Sequence, residues 1–181
     1  MRSLFHSAIL GSLLLLAAPA VVCPQTDEYQ VKAGFVARFA SFVDWSPEAL
    51  GGAGVPFGIC VLGRNPFGKA LETFVDGKNV AGHGIQIRQL SDVRMAAGCE
   101  ILFVSGSERL RFRFILDAVP GGVFTVGDAP DFIAQGGVAN LWIDQGKVRV
   151  EINADAAKAR NLKVSSRLMM LAKPQPAGQR E

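Results

Sequence analysis

The sequence has few of the groups that chemistry usually needs. Its 181 residues contain two histidines, three cysteines and one tyrosine. Charged residues make up 19% of the chain, and the net charge of +3 is not gathered into any basic run. Nucleic-acid binders normally carry a basic stripe, so that class loses its support. There is no H-E-x-x-H, no G-x-S-x-G, no Walker loop and no G-x-G-x-x-G. Beyond the first residues, no apolar run approaches the ~20 needed to cross a bilayer. What is abundant is apolar side chain, 49% of the total, which is ample for the core of one domain.

Part of that apolar excess lies at the start. Arg2 precedes the apolar run Ala8 to Leu16, which ends in Ala17-Ala18-Pro19-Ala20, a small-x-small pattern. Residues 1–20 therefore read as a cleavable export signal and 21–172 as the mature domain, without stable membrane insertion. Residues 173–181 contain Pro and Gly and read as a flexible tail. A lipoprotein signal ending at Cys23 is the minority reading, because Val22 is bulky where Gly or Ala is wanted.

Export leads to an oxidising compartment, where Cys60 and Cys99 acquire a use. Each lies in an apolar run that reads as a buried strand, and they can bridge if those strands are neighbours. Two buried free thiols are the alternative. The spacing suits no zinc site, and no metal or cofactor is expected.

Along the chain, an amphipathic helix is expected from Tyr29 to Val43, with Val31, Phe35 and Phe39 on its apolar face. Strands follow at Phe57 to Leu62, Ile85 to Leu90, Ile101 to Val104 and Val123 to Val126. Helical segments separate them, one bearing Phe67, Ala70, Leu71, Phe74 and Val75, another Leu110, Phe114 and Ala118. Ala139 to Ile143 and Val148 to Ile152 flank the turn Asp144-Gln145-Gly146-Lys147, and further helices close the domain. The expected fold is α/β, a mostly parallel sheet of five or six strands flanked by helices, with a C-terminal antiparallel hairpin. A strand order of second, first, third would bring Cys60 beside Cys99.

Candidate sites follow from that topology. Ligands of open α/β sheets bind beyond the carboxyl ends of strands where the order reverses. That crevice would lie between Arg64-Asn65 and Ser105-Gly106-Ser107, whose amides could hold an anion. The plainer reading makes Asn65 and Ser107 helix caps. Asp128 and Asp131 suit turn and cap positions better than acid–base work. His83, alone in the mature chain and flanked by glycines, reads as a solvated turn residue, and Arg109, Arg111 and Arg113 as a solvated helix face. Alternation through Val148 to Asn153 puts Arg149, Glu151 and Asn153 on one side, either as exposed strand surface or as part of a partner-binding patch.

The segment Tyr29-Gln30-Val31-Lys32-Ala33-Gly34-Phe35, leading to Phe39-Ala40-Ser41-Phe42-Val43-Asp44-Trp45, resembles the YfiR family of periplasmic proteins. So do Ile59-Cys60-Val61-Leu62-Gly63, Gly98-Cys99-Glu100-Ile101-Leu102-Phe103, Thr125-Val126-Gly127-Asp128-Ala129 and Leu162-Lys163-Val164-Ser165-Ser166-Arg167-Leu168. The resemblance runs from about Glu28 to Ala172. It implies a non-enzymatic periplasmic repressor that binds the sensory domain of an inner-membrane diguanylate cyclase, or of a related sensor kinase. Its release raises cyclic-di-GMP and biofilm formation. The resemblance also implies a Cys60–Cys99 disulfide, while a second cysteine pair found in some members is absent. Homodimerisation is left open. A small-ligand receptor using Arg64, Asn65, Ser105 and Ser107 is the alternative function.

Overall fold

Phe57–Leu62 is a nearly unbroken apolar run, and in the computed structural model it is a strand buried on both faces. A strand of that kind can sit only in the middle of a sheet. The structure describes residues 24–176 and 178, with side chains from 27 onward and without that of Ala177. The expected export signal and Cys23 lie outside the described residues.

In chain order the elements are α1 (Pro24–Phe39), β1 (Val43–Asp44), α2 (Pro47–Leu50), β2 (Phe57–Leu62), α3 (Ala70–Val75), β3 (Asn79–Val80) and β4 (His83–Leu90). A 3-10 turn at Val93–Met95 leads to β5 (Ile101–Val104), and another at Gly106–Arg111 to α4 (Phe112–Ala118). Then come β6 (Phe124–Gly127), β7 (Ala139–Asp144), β8 (Lys147–Ile152), α5 (Ala154–Ala159), β9 (Lys163–Val164) and α6 (Ser166–Leu171).

The main sheet has seven strands in the order β3-β4-β2-β5-β6-β7-β8, and β1 pairs with β9 in a separate two-stranded ladder. From β4 to β7 all neighbours are parallel, and the outermost pairs, β3–β4 and β7–β8, are antiparallel. The mixed α/β architecture and terminal hairpin are those expected, and β4-β2-β5 is the expected second-first-third order. The sheet exceeds the expected five or six strands because β3, like β1 and β9, is only two residues long and carries no periodicity to read.

Cys60 on β2 and Cys99, just before β5, are joined by a disulfide with their Cα atoms 5.8 Å apart. Gly58 makes that approach possible: a Cβ there would lie 2.2 Å from the Gly98 carbonyl oxygen.

Two helical faces differ from expectation. On α1 the buried apolar positions are Ala33, Val36, Ala37 and Phe39, continued by Ala40 just past its end, and Lys32 is buried beside Glu28, while Val31 is half exposed. Small alanines let the helix lie close to the sheet, and Gly34 gives its back to the ring of Phe74 on α3, 3.3 Å from where a Cβ would be. After β5 the chain first makes a 3-10 turn of about three residues per turn, which shifts the helical phase. Phe112, Ile115 and Leu116 point inward, leaving Leu110 fully exposed and Phe114 at 66% exposure.

The start of the expected tail is laid along the outer strand. Lys173 donates its N–H to Val150 O at 2.7 Å, and Trp142 Nε1 donates to Lys173 O at 3.3 Å. Gln175 is buried, its Oε1 accepting from Asn140 Nδ2. The outer edge of β8 has backbone groups to satisfy, and Lys173 satisfies one of them, the Val150 carbonyl.

Candidate functional site

The carboxyl ends of β2, β5 and β6 converge, and each is followed by a residue suited to a tight connection. At Gly63 φ is +87°, and a Cβ would lie 2.6 Å from Ser107 Oγ and 2.7 Å from Glu108 Cγ. Only glycine fits, because side chains from the β5 loop fill this space. Arg64 donates its N–H to Ser107 Oγ at 2.9 Å, and Gln89 Nε2 donates to Gly63 O. The two expected ligand loops are therefore brought together and bonded to each other.

Neither Asn65 nor Ser107 is the helix cap expected of it: Lys69 precedes α3 and Ser105 caps the 3-10 turn, while the polar groups of both loops close them locally. Asn65 Oδ1 accepts from Phe67 N–H at 2.9 Å. Ser105 is buried and its Oγ accepts from Ser107 N–H. The carboxylate of Glu108, paired with Arg111, lies against Gly63. A negative charge there opposes an anionic ligand, and α3 does not begin until Ala70, well past Asn65.

Asp128, at the end of β6, links this cluster to the N-terminal helix. Its Oδ1 accepts from Gly106 N–H at 2.8 Å and its Oδ2 from Tyr29 Oη at 2.6 Å. Burial, reinforced by this carboxylate partner, pushes the Tyr29 hydroxyl far above its ordinary value. Tyr29 also packs edge-on to Phe67, 5.9 Å between centroids, and Phe67 does the same to Phe103 at 4.6 Å. Sequence reasoning placed Asp128 in a turn but missed its tie to Tyr29. The available signal was the chain's single tyrosine, 99 residues away, a distance that no local pattern spans.

The three residues of the expected partner patch are separated by burial. Glu151 is buried, and Asn153 caps α5 by accepting from Ala156 N–H at 3.0 Å. Arg149 reaches the surface, 3.4 Å from Asp144, which Lys173 also contacts at 2.7 Å. The lysine holds the Asp144 carboxyl below its usual range. Arg149 lines an open groove of about 660 Å³ with Asp27, Glu28, Val31, Ile143 and Lys147.

His83 opens β4 and contacts Val55 O through Nδ1 at 2.7 Å, with no hydroxyl or thiol bonded to its ring among the described residues. Arg109 pairs with Asp131, and Arg113 with Asp117, on an exposed surface. Among the described residues, no group of three His, Cys, Asp or Glu is placed to hold a metal. Nor is any described helix long and apolar enough to cross a membrane.

A family profile described as YfiR/HmsC-like matches residues 29–173. Among solved structures, the chain is similar to a conserved domain protein from Vibrio cholerae, with TM-score 0.54 and 13% identity over 80% of this chain. It is also similar to an ABC domain in complex with L-Trp from Streptococcus pneumonia, with TM-score 0.51 and 13% identity over 77% of this chain. The match spans 59% of each of those two proteins, and identity this low speaks to the fold alone. No curated protein matches the chain.

Proposed function

The chain belongs to the YfiR/HmsC-like family, and from that premise we propose that it is an exported, non-enzymatic regulator of a membrane-bound sensor. In this reading it binds the periplasmic sensory domain of an inner-membrane diguanylate cyclase and represses it, which lowers cyclic-di-GMP and biofilm formation. The family match over residues 29–173 carries the proposal.

The geometry at the carboxyl ends of the strands supports protein binding over small-ligand binding. Ser107 and Glu108 occupy the space beside Gly63, whereas Leu110 and Phe114 stand exposed nearby in the chain. Apolar side chains turned outward are the usual currency of protein contacts.

Deleting the gene in cells that express the cognate cyclase should raise cyclic-di-GMP and attachment, and re-expression should reverse both. Unchanged levels would sink the repressor reading. Calorimetry of the purified protein against nucleotides and amino acids, L-Trp included, should give no heat of binding. Saturable binding abolished by changes at Arg64 or Ser107 would replace the regulator with a receptor.

A further inference from the structure

We propose that the outer edge of β4 is a docking site for an extended strand contributed by a partner polypeptide. This inference is independent of which protein the chain regulates.

Strand β4 is paired with β2 along six residues, Ile85 to Leu90, on its inner side. On its outer side the only described ladder is the short one with β3, where Asn79 faces Gly84 and Val80 faces His83. Beyond it Ile85 N–H reaches outward to Lys78 O at 3.4 Å. Backbone groups alternate between the two edges of a strand, so those of Ile87 and Gln89 point the same way as Ile85. Two donors and two acceptors in extended geometry call for another strand.

The side chains beside this edge favour such an occupant. A groove of about 510 Å³ runs along it, lined by Glu72, Val75, Asp76, Lys78, Ile85 and Ile87. Ile85 and Ile87 are partly buried and pack against the core, offering an apolar shelf. Between His83 and Leu90 there is no proline and no lysine, the residues that commonly guard an edge.

Other occupants fit less well. A second copy using both free residues would pair Ile87 with Gln89 across a twofold axis, which sets Arg88 directly opposite Arg88. Like charges facing each other across a ladder are destabilising. The described ends of this chain lie at the far side of the sheet, where Asp27 and Glu28 line the β7–β8 groove and Gln175 meets Asn140. The same charge argument defines the partner: a strand with an apolar residue against Ile87 and an acidic one on the face of Arg88. Arg88 itself gives its Nη2 to the carbonyls of Met95 and Ala97, at 2.7 and 3.0 Å.

The test is to pan a random peptide library displayed on phage against the full chain with its disulfide intact. Enriched peptides should follow this apolar–acidic pattern and slow hydrogen exchange at the Ile87 and Gln89 amides, which should exchange faster than those of Gln86 and Arg88 in the free protein. Proline at 87 removes an outward N–H while sparing the ladder to β2, so Ile87→Pro should weaken binding at least about tenfold, with Ile87→Val close to wild type. Should Ile87→Pro fail to fold, the wild-type exchange pattern decides. Amides at 87 and 89 already protected in the free protein overturn the proposal, as do enriched peptides that leave them unprotected, a library that enriches nothing, or full binding by folded Ile87→Pro.

Discussion

On one side of the sheet, α1, α3, α5 and α6 cover a continuous apolar core that includes Ala33, Phe103 and Leu168. On the other side a smaller core around Cys60, Leu102 and Phe132 lies beneath two 3-10 turns and the seven-residue α4. The thick side is held by interlocking rings, with Phe67 against Phe103 at 4.6 Å and Phe39 against Phe124 at 5.2 Å. Among the described residues the thin side has one such pair, Phe112 with Phe132 at 4.9 Å, and it carries the disulfide. Phe132 fits only because Gly127 and Gly137 lack side chains: a Cβ at either would lie within 2.3 Å of its ring. The thin layer has less apolar area to bury, and the crosslink adds a contribution set by the length of the loop it closes rather than by burial.

This contrast can be broken from either side. Phe103→Ala empties the middle of the thick layer, where no collapse is easy, and should cost about 3–5 kcal/mol in urea unfolding. A cost under about 1 kcal/mol would mean that the rings are not what holds that face. Replacing Cys60 and Cys99 together by Ser opens a loop of 39 residues and should cost about 3–4 kcal/mol by loop-closure entropy. The loss should concentrate in the thin layer, seen as faster exchange at Leu102 and Leu116 than at Phe39. Uniform loosening of both faces would erase the distinction.

Legibility from sequence follows the same division. The strands of the sheet are readable because β2, β5 and β6 are buried along their whole length, and the cysteine pair is compatible with β2 beside β5, the arrangement that the disulfide shows. The helix phases were less readable. A 3.6-residue count from Ser107 assigns Leu110 and Phe114 to the core, but the 3-10 turn rotates them into solvent. On α1 hydrophobicity favoured Val31, whereas close packing favoured the alanines. The two candidate ligand loops lie side by side, Arg64 N–H on Ser107 Oγ, and their closure by Ser107 and Glu108 depends on side-chain contacts that no spacing encodes. Tyr29 and Asp128 meet only because α1 crosses the sheet toward the end of β6.

Glu100, immediately before β5 and bonded to Gly58 of β2, sharpens the comparison with the smallest effect. Its side chain is buried at the start of β5, where it accepts from Gly58 N–H, and its backbone N–H donates to Gly58 O at 2.9 Å. Burial pushes this carboxyl above its ordinary value of 4.5, more than the Gly58 contact and the charges of Arg88 and His83 pull it down. The native state therefore binds a proton more readily than the unfolded chain between those two values. Stability from this group is fully present below pH 4.5 and is lost as pH rises through the folded value. Glu100→Gln retains an acceptor for Gly58 N–H without a charge to desolvate, and at pH 7 it should lie within about 1 kcal/mol of wild type. The informative quantity is the difference between the two urea midpoints across acid pH, which cancels the other carboxylates. It should shift in favour of wild type as pH falls toward 4.5. Parallel profiles would place the charge of Glu100 in contact with water and leave the thin layer's own packing, with its disulfide, as the whole account of that face.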